Sequence, residues 1–176
     1  YVEGNSLDGT IPTDWGESGS LRDVLRVLNV STNNLQGSFP SWDNGRMQAL
    51  RVLDLSNNKL DGTLPSLSVD TLSLRHLDIS NNLFTGTLPK VLTASPSTGT
   101  LEVFVASFNN FSGTVPSSWR LFRVLIELRL SNNSLNGSLP SLPDSLQQLD
   151  LSRNQFVGSL PRAWDNMTNP TTLNLS

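Results

Sequence analysis

The chain has 176 residues with 12 basic and 15 acidic side chains, a net charge of −3 and no cysteine. That length suffices for one domain with a substantial core, and the missing thiols exclude a disulfide framework, a thiolate zinc site and a cysteine nucleophile. The basic residues are scattered along the sequence, which argues against a polyphosphate partner such as nucleic acid, and no apolar run nears the ~18 residues that suggest a membrane span.

In chain order, the first segment already belongs to a pattern. Val2 stands three residues before Asn5, and NSLDGTIP follows at 5–12. Related stretches come at 33–40 (NNLQGSFP), 58–65 (NKLDGTLP), 82–89 (NLFTGTLP), 109–116 (NNFSGTVP), 133–140 (NSLNGSLP) and 154–161 (NQFVGSLP). The shared motif is N-x-[LF]-x-G-[ST]-[LIVF]-P, with asparagines at Asn5, Asn33, Asn58, Asn82, Asn109, Asn133 and Asn154. Their spacing averages about 25 residues, the period of a solenoid. Chance does not fill such columns seven times.

Each asparagine but the first follows a short alternating stretch: Leu28/Val30, Leu53/Leu55, Leu77/Ile79, Phe104/Ala106, Leu128/Leu130 and Leu149/Leu151, with Leu173/Leu175 closing the chain. Alternation of this kind predicts short strands with one buried face, stacked into a parallel sheet that gains one strand per repeat. Leu50, Leu60 and Leu64 are expected to enter the same coil from its other sides. The repeat glycine permits a turn that a side chain would obstruct, and the proline ends a second, shorter extended segment. A coil that bends sharply after its strand leaves peptide groups without ladder partners, at roughly 1–3 kcal/mol each when buried unpaired. An amide carries donors and an acceptor. The seven asparagines are therefore read as a structural ladder that satisfies peptide groups of their own and neighbouring coils.

The full pattern L-x-x-L-x-L-x-x-N-x-L-x-G-x-L-P resembles the plant-type leucine-rich repeat of receptor-kinase ectodomains and polygalacturonase-inhibitor-like proteins. The resemblance covers practically the whole chain. It implies a curved right-handed solenoid with a parallel sheet on the concave face, short second strands, and turns or 3-10 segments on the convex side. Two departures stand out. Trp15, Trp42, Trp119 and Trp164 follow the repeat proline where land-plant sequences more often show leucine, which suggests an algal or protist variant. The cysteine-bearing caps of plant ectodomains are also absent. With strand-like segments at both ends, residues 1–176 read as one solenoid of about seven repeats, internal to a longer protein.

Enzyme signatures are missing: no phosphate-binding loop, nucleophile elbow, zinc helix or calcium loop occurs. No metal or other cofactor is expected. His76 is a surface histidine, and Asp54, Asp78 and Asp150 share an outward column that Val105 and Arg129 interrupt. Function is placed instead on the outward sheet face, with Asp54, His76, Asp78, Val103, Val105, Phe108, Glu127, Arg129 and Asp150 as candidate partner-binding residues. The fourth repeat deviates most. There Phe108 replaces a usually polar residue among valines, rimmed by Asp78, Glu127 and Arg129. Two roles are open for it: the centre of a binding hot spot, or a flap that shields core above the undersized Ala106.

Three further columns bear on function. A serine follows each strand (Ser31, Ser56, Ser80, Ser107, Ser131, Ser152, Ser176) and is expected to bond locally. A hydroxyl follows each repeat glycine (Thr10, Ser38, Thr63, Thr87, Thr114, Ser138, Ser159), either as a β-tolerant filler or as an array similar to those on ice-binding solenoids. N-x-[ST] sequons occur at Asn29, Asn110, Asn132, Asn136, Asn166 and Asn174; four of these fall at expected surface turns, while Asn29 and Asn174 flank the sheet and, if glycosylated, would confine a partner to the middle coils. The tryptophans are expected to pack inward on the back, with a lateral contact as the alternative. The resemblance thus implies a non-catalytic extracellular or cell-surface module that binds a protein, peptide or glycan. The alternatives are a structural component of a wall, surface filament or adhesin that assembles with other chains and, third, an ice-binding solenoid. The chain itself is not expected to enter a membrane.

Overall fold

A computed structural model describes residues 2–13, 15, 21, 24–39, 47, 49–65, 73–90, 99–167 and 170–176. Each coil but the last contributes a first strand and a second one, which is no shorter than the first, contrary to the sequence-based expectation, and reaches five residues at Ser134–Ser138. In order they are β1 (Val27–Asn29) and β2 (Gln36–Ser38), β3 (Val52–Asp54) and β4 (Lys59–Asp61), β5 (His76–Asp78) and β6 (Thr85–Thr87), β7 (Val103–Val105) and β8 (Asn110–Gly113). There follow β9 (Glu127–Arg129) and β10 (Ser134–Ser138), β11 (Gln148–Asp150) and β12 (Gln155–Val157), and β13 (Thr172–Asn174). The odd-numbered strands form one seven-stranded parallel sheet in sequence order. Its register carries one leucine-type residue per strand: Leu28, Leu53, Leu77, Phe104, Leu128, Leu149 and Leu173. Residues 2–4 continue it, with the Val2 and Gly4 amides donating to the Asn29 and Ser31 carbonyls at 3.1 Å.

The even strands pair separately, β2 with β4 and β6 through β12 in a four-stranded row. Between the two kinds of sheet lies the core. Leu50, Leu53, Leu55 and Leu60 of one coil are all essentially inaccessible to water. Phe84 and Phe111 of successive coils stack at 6.2 Å, and Phe104 meets Trp119 edge-on at 5.6 Å. The short 3-10 segments Ser117–Leu121 and Arg162–Asn166 follow the repeat prolines Pro116 and Pro161. Their tryptophans tie coils together: the Trp119 indole donates to the Pro89 carbonyl at 3.1 Å and that of Trp164 to Pro140 at 3.0 Å. Trp119 is buried and Trp15 and Trp164 pack partly buried against the core, as expected of inward plugs; Trp42 lies outside the described residues.

Asn58 accepts the Leu35 amide through Oδ1 at 3.0 Å. Its Nδ2 donates to the carbonyls of Val30, Leu55 and Ser56 at 3.0–3.1 Å. The same four bonds recur at Asn82, where the amide is buried, and at Asn109, Asn133 and Asn154. One side chain thus closes the bend of its own coil and staples it to the one before. Leucine could supply none of this.

The hydroxyl column has an architectural role as well. Gly86 and Gly113 sit at φ of +78° and +75°. A Cβ there would stand 2.9 and 3.1 Å from the methyls of Thr63 and Thr87 in the preceding coils. Glycine is needed at these positions both for the left-handed turn and to receive the neighbour's methyl.

Candidate functional site

The outward face of the main sheet is built from residues on either side of the buried leucine column. Most of it has a structural occupation. Ser56, Ser80 and Ser152 each donate twice, through backbone N–H and Oγ, to the Oδ1 of Asp54, Asp78 and Asp150, at 2.8–3.0 Å and 2.6–2.7 Å respectively. Asn29 serves Ser31 in the same way, and Asn174 serves Ser176. The acidic column is therefore a set of Asx turns that finish each strand. Burial raises the pKa of Asp78, opposed by the two Ser80 hydrogen bonds and by His76 and reinforced by neighbouring Asp54.

Coils four and five abandon that device. Val105 and Arg129 hold the position, and the serines bond to each other instead, with the Ser131 amide and hydroxyl both on Ser107 Oγ at 3.1 and 3.0 Å. Arg129 is anchored on its surface by Glu127 at 2.7 Å and by Gln148 at 2.9 Å. Val103 and Val105 stand half-buried on the adjacent strand, facing His76 and Asp78 on one side and Glu127 and Arg129 on the other.

Phe108 is the most unusual residue of the face. It is 50% exposed and has φ +56°. The equivalent residues of other coils, Thr32, Asn57, Asn81, Asn132 and Arg153, share this left-handed conformation. Asparagine tolerates it; for a bulky side chain it is a genuine outlier, at roughly 1–2 kcal/mol. It leaves half of its surface in water, whereas Ala106 is fully buried beneath the sheet. The left-handed column was not foreseen from the sequence, although its signal, the Asn-Asn pair at three strand ends, was present.

Of the nine candidate residues, Val103, Val105, Phe108, Glu127 and Arg129 come together, with His76 and Asp78 bordering them on β5; Asp54 and Asp150 lie one strand further out on either side. The sequons distribute differently from expectation. Asn110 and Asn136 are not in turns but on β8 and β10, exposed on the lateral face beside the hydroxyl column. Asn132 occupies the left-handed turn next to Phe108, and Asn166 ends a 3-10 segment. Asn29 and Asn174 are on the main sheet, as expected.

A family model described as a leucine rich repeat matches residues 23–85, and a second of the same description matches 124–144 and 145–167, so that together they span more than half of the chain. The chain belongs to the leucine-rich repeat family. Receptor-like protein 32 of Arabidopsis thaliana is 38% identical over 68 residues, covering 36% of this leucine-rich repeat chain and 8% of that protein. Among solved structures, PEPR1 with AtPEP1 matches 98% of the chain at 36% identity with a TM-score of 0.87. The plant peptide hormone receptor RGFR1 in complex with RGF2 matches 94% at 35% identity and 0.84. The chain spans 24% and 26% of the lengths of those two structures. A plant ice-binding protein shares the fold at 24% identity and a TM-score of 0.73. Among the described residues, no helix is long and apolar enough to cross a membrane, and no group of three or more His, Asp or Glu is placed to hold a metal ion.

Proposed function

We propose that this leucine-rich repeat chain is a non-catalytic recognition module of an extracellular or cell-surface protein, which binds a protein or peptide on its sheet face over coils four and five. The observation that carries this is the treatment of Phe108, Val105 and Arg129. In consecutive coils the chain gives up two Asx turns and holds an aromatic ring half in water on a conformation that disfavours it. Local rules broken together in one place, while the asparagine ladder beneath stays intact, mark a selected surface. An exposed phenylalanine beside half-buried valines, rimmed by charge, is the kind of apolar patch that marks an interaction site. Support also comes from the relatives, since PEPR1 and RGFR1 are solved in complex with AtPEP1 and with the RGF2 hormone. In an extracellular setting Asn110 and Asn136 become glycan acceptors, and sugars there would cover the lateral face rather than the sheet.

The test is capture of cell-surface proteins and secreted peptides by the native chain and by Phe108→Ser and Val105→Asp, all shown by thermal unfolding to be folded. One defined partner lost in both variants is the expected result. A partner kept by both places recognition elsewhere, and undiminished self-association without any other partner returns the chain to a building-block role. Intact-mass analysis of secreted material showing Asn29 and Asn174 unmodified would remove the idea that their glycans confine the partner.

A further inference from the structure

Phe108, Asn132 and Arg153 are separated by 24 and 21 residues in the chain but stand side by side at the strand ends. The Phe108 amide donates to the Ser131 carbonyl at 2.9 Å and the Asn109 amide to that of Asn132 at 3.3 Å, which seats Phe108 beside Asn132. The Asn132 amide donates to the Ser152 carbonyl at 3.1 Å and the Asn133 amide to that of Arg153 at 3.3 Å, which puts Arg153 on the other side. All three share the left-handed conformation, at φ +56°, +54° and +52°. Their Cα–Cβ bonds therefore leave the backbone in one direction, one strand spacing or about 4.8 Å apart. Phe108 and Arg153 are exposed and Asn132 is half-buried. They are the two bulkiest residues of a column otherwise made of Thr32, Asn57, Asn81 and Asn132. Among the described residues the Asn132 side chain makes no hydrogen bond and the Arg153 guanidinium no ion pair. Asn132 also opens the sequon Asn132-Asn133-Ser134, whereas Asn57 and Asn81 have Lys59 and Leu83 in place of the hydroxyl. The one glycan acceptor of the column thus lies between its two large side chains.

We propose that Asn132 carries an N-linked N-acetylglucosamine seated between Phe108 and Arg153, and that this sugar covers the aromatic centre of the sheet face. The inference rests on the extracellular recognition reading above, because such sugars are added on the secretory route. The donor is a lipid-linked oligosaccharyl diphosphate. Asn132 Nδ2 bonds to the anomeric carbon and gives up one proton, while the bond from that carbon to the diphosphate oxygen breaks and the lipid diphosphate leaves. The Asn132 amide has no internal hydrogen bond to lose in the exchange. Asn57 Nδ2, in contrast, donates to Ser56 Oγ at 3.3 Å, and in the fifth coil Ser131 Oγ is turned to Ser107 instead. A pyranose ring has a face of C–H groups and a polar rim. The Phe108 ring offers the first a large apolar surface with a negative π face, and the Arg153 fork offers N–H donors to the hydroxyl and acetyl oxygens of the second. Ring and guanidinium each stand one strand spacing from the point of attachment, so the first sugar meets both without leaving the surface. The aromatic centre is then shielded in the glycosylated chain and open in the unmodified one, and occupancy of a single sequon regulates it.

The test compares the chain secreted from an N-glycosylating host, trimmed enzymatically to one N-acetylglucosamine per site, with Ser134→Ala, which removes this sequon and keeps Asn132. Asn132→Gln is a second sugarless chain should Ser134→Ala fail to fold. Peptide mass analysis should find the sugar on Asn132 of the native chain. Its presence should raise the folding equilibrium constant at least threefold in urea unfolding and should add sugar proton resonances shifted upfield by the Phe108 ring. Phe108→Ser should abolish both effects, and Arg153→Ala should reduce the first. Capture of a partner that depends on Phe108 should be at least tenfold weaker for the modified chain than for the sugarless ones. An unoccupied Asn132, a sugar with the same effects in Phe108→Ser, or equal capture of that partner with and without the sugar would each overturn the proposal. A sugarless chain whose capture does not depend on Phe108 would overturn the sheet-face reading instead, and the mass, unfolding and resonance data would still decide the seat of the sugar.

Discussion

Coils two and three and coils four and five run on one hydrogen-bonded frame and differ in what they show to solvent. Asp54 and Asp78 use a carboxylate oxygen to finish their strands, and Asn57 and Asn81 take the left-handed turn that asparagine tolerates. One coil later Val105 has no oxygen to offer and Phe108 takes the same turn at a cost. Beneath this face Asn82 and Asn109 make the same four bonds. A repeat protein can therefore hold its fold constant with inward groups and vary its surface with outward ones, because the two sets share almost no partners.

The most severe test of that separation removes a ladder amide from each region. Asn82→Ala strands the Leu60 amide and the carbonyls of Leu55, Ile79 and Ser80, and should cost on the order of 3 kcal/mol in urea unfolding. Asn109→Ala should cost about as much. A much smaller loss at Asn109 would mean that the fourth coil is slack throughout, and the contrast between a rigid frame and an altered face would fail. On the lateral side the two regions are again alike. Gly86→Ala and Gly113→Ala should each lose about 1–2 kcal/mol from the left-handed turn alone, with Thr63→Ala partly relieving the first by removing the methyl it would strike.

The sheet face should behave in the opposite sense. Phe108→Asn places a tolerated residue in the left-handed turn and should raise stability by about 1 kcal/mol. Val105→Asp offers Ser107 the acceptor its equivalents have, worth about 0.5–1.5 kcal/mol. Both should abolish partner capture. Stability gained where binding is lost is the signature of a face kept for function. Loss of stability in both variants would instead make Phe108 and Val105 ordinary packing residues.

The frame was legible because backbone needs repeat with the period: the roles of Asn58, Leu53 and Pro65 follow from what any such coil must satisfy. The serine column was legible as local bonding, but its acceptor was not, since D-x-S at Asp54 reads equally well as an exposed acid beside a cap. Phe108 could be singled out by its chemistry, whereas its strain depends on φ, which a single aromatic letter does not reveal. Arg26, Arg51 and Arg75 are scattered along the sequence but abreast in the sheet, where the Arg51 amide donates to the Arg26 carbonyl and the Arg75 amide to the Arg51 carbonyl. In a solenoid, residues one period apart are nearest neighbours, and Arg26, Arg51 and Arg75 meet only once the coils are stacked.

The smallest effect separates the two roles of an acidic side chain on the regular coils. Asp78→Asn keeps an Oδ1 for Ser80, just as Asn29 does for Ser31, and removes a charge that burial and Asp54 both disfavour. Because the folded-state pKa of Asp78 is raised, the folded chain holds its proton more tightly than the unfolded chain. Stability from this group is greatest below the unfolded carboxylate value, falls as pH rises toward the raised folded value, and bears the full cost above it. The variant should therefore equal or exceed the native chain at pH 7, and the difference should shrink as the pH is lowered through the carboxylate range. The substitution creates an N-x-S sequon with Ser80, so material from a host without N-glycosylation is required. A native chain more stable than the variant at pH 7, with its advantage vanishing in acid, would show the Asp78 charge to be an asset of the turn, and would move it from the frame to the electrostatics of the sheet face.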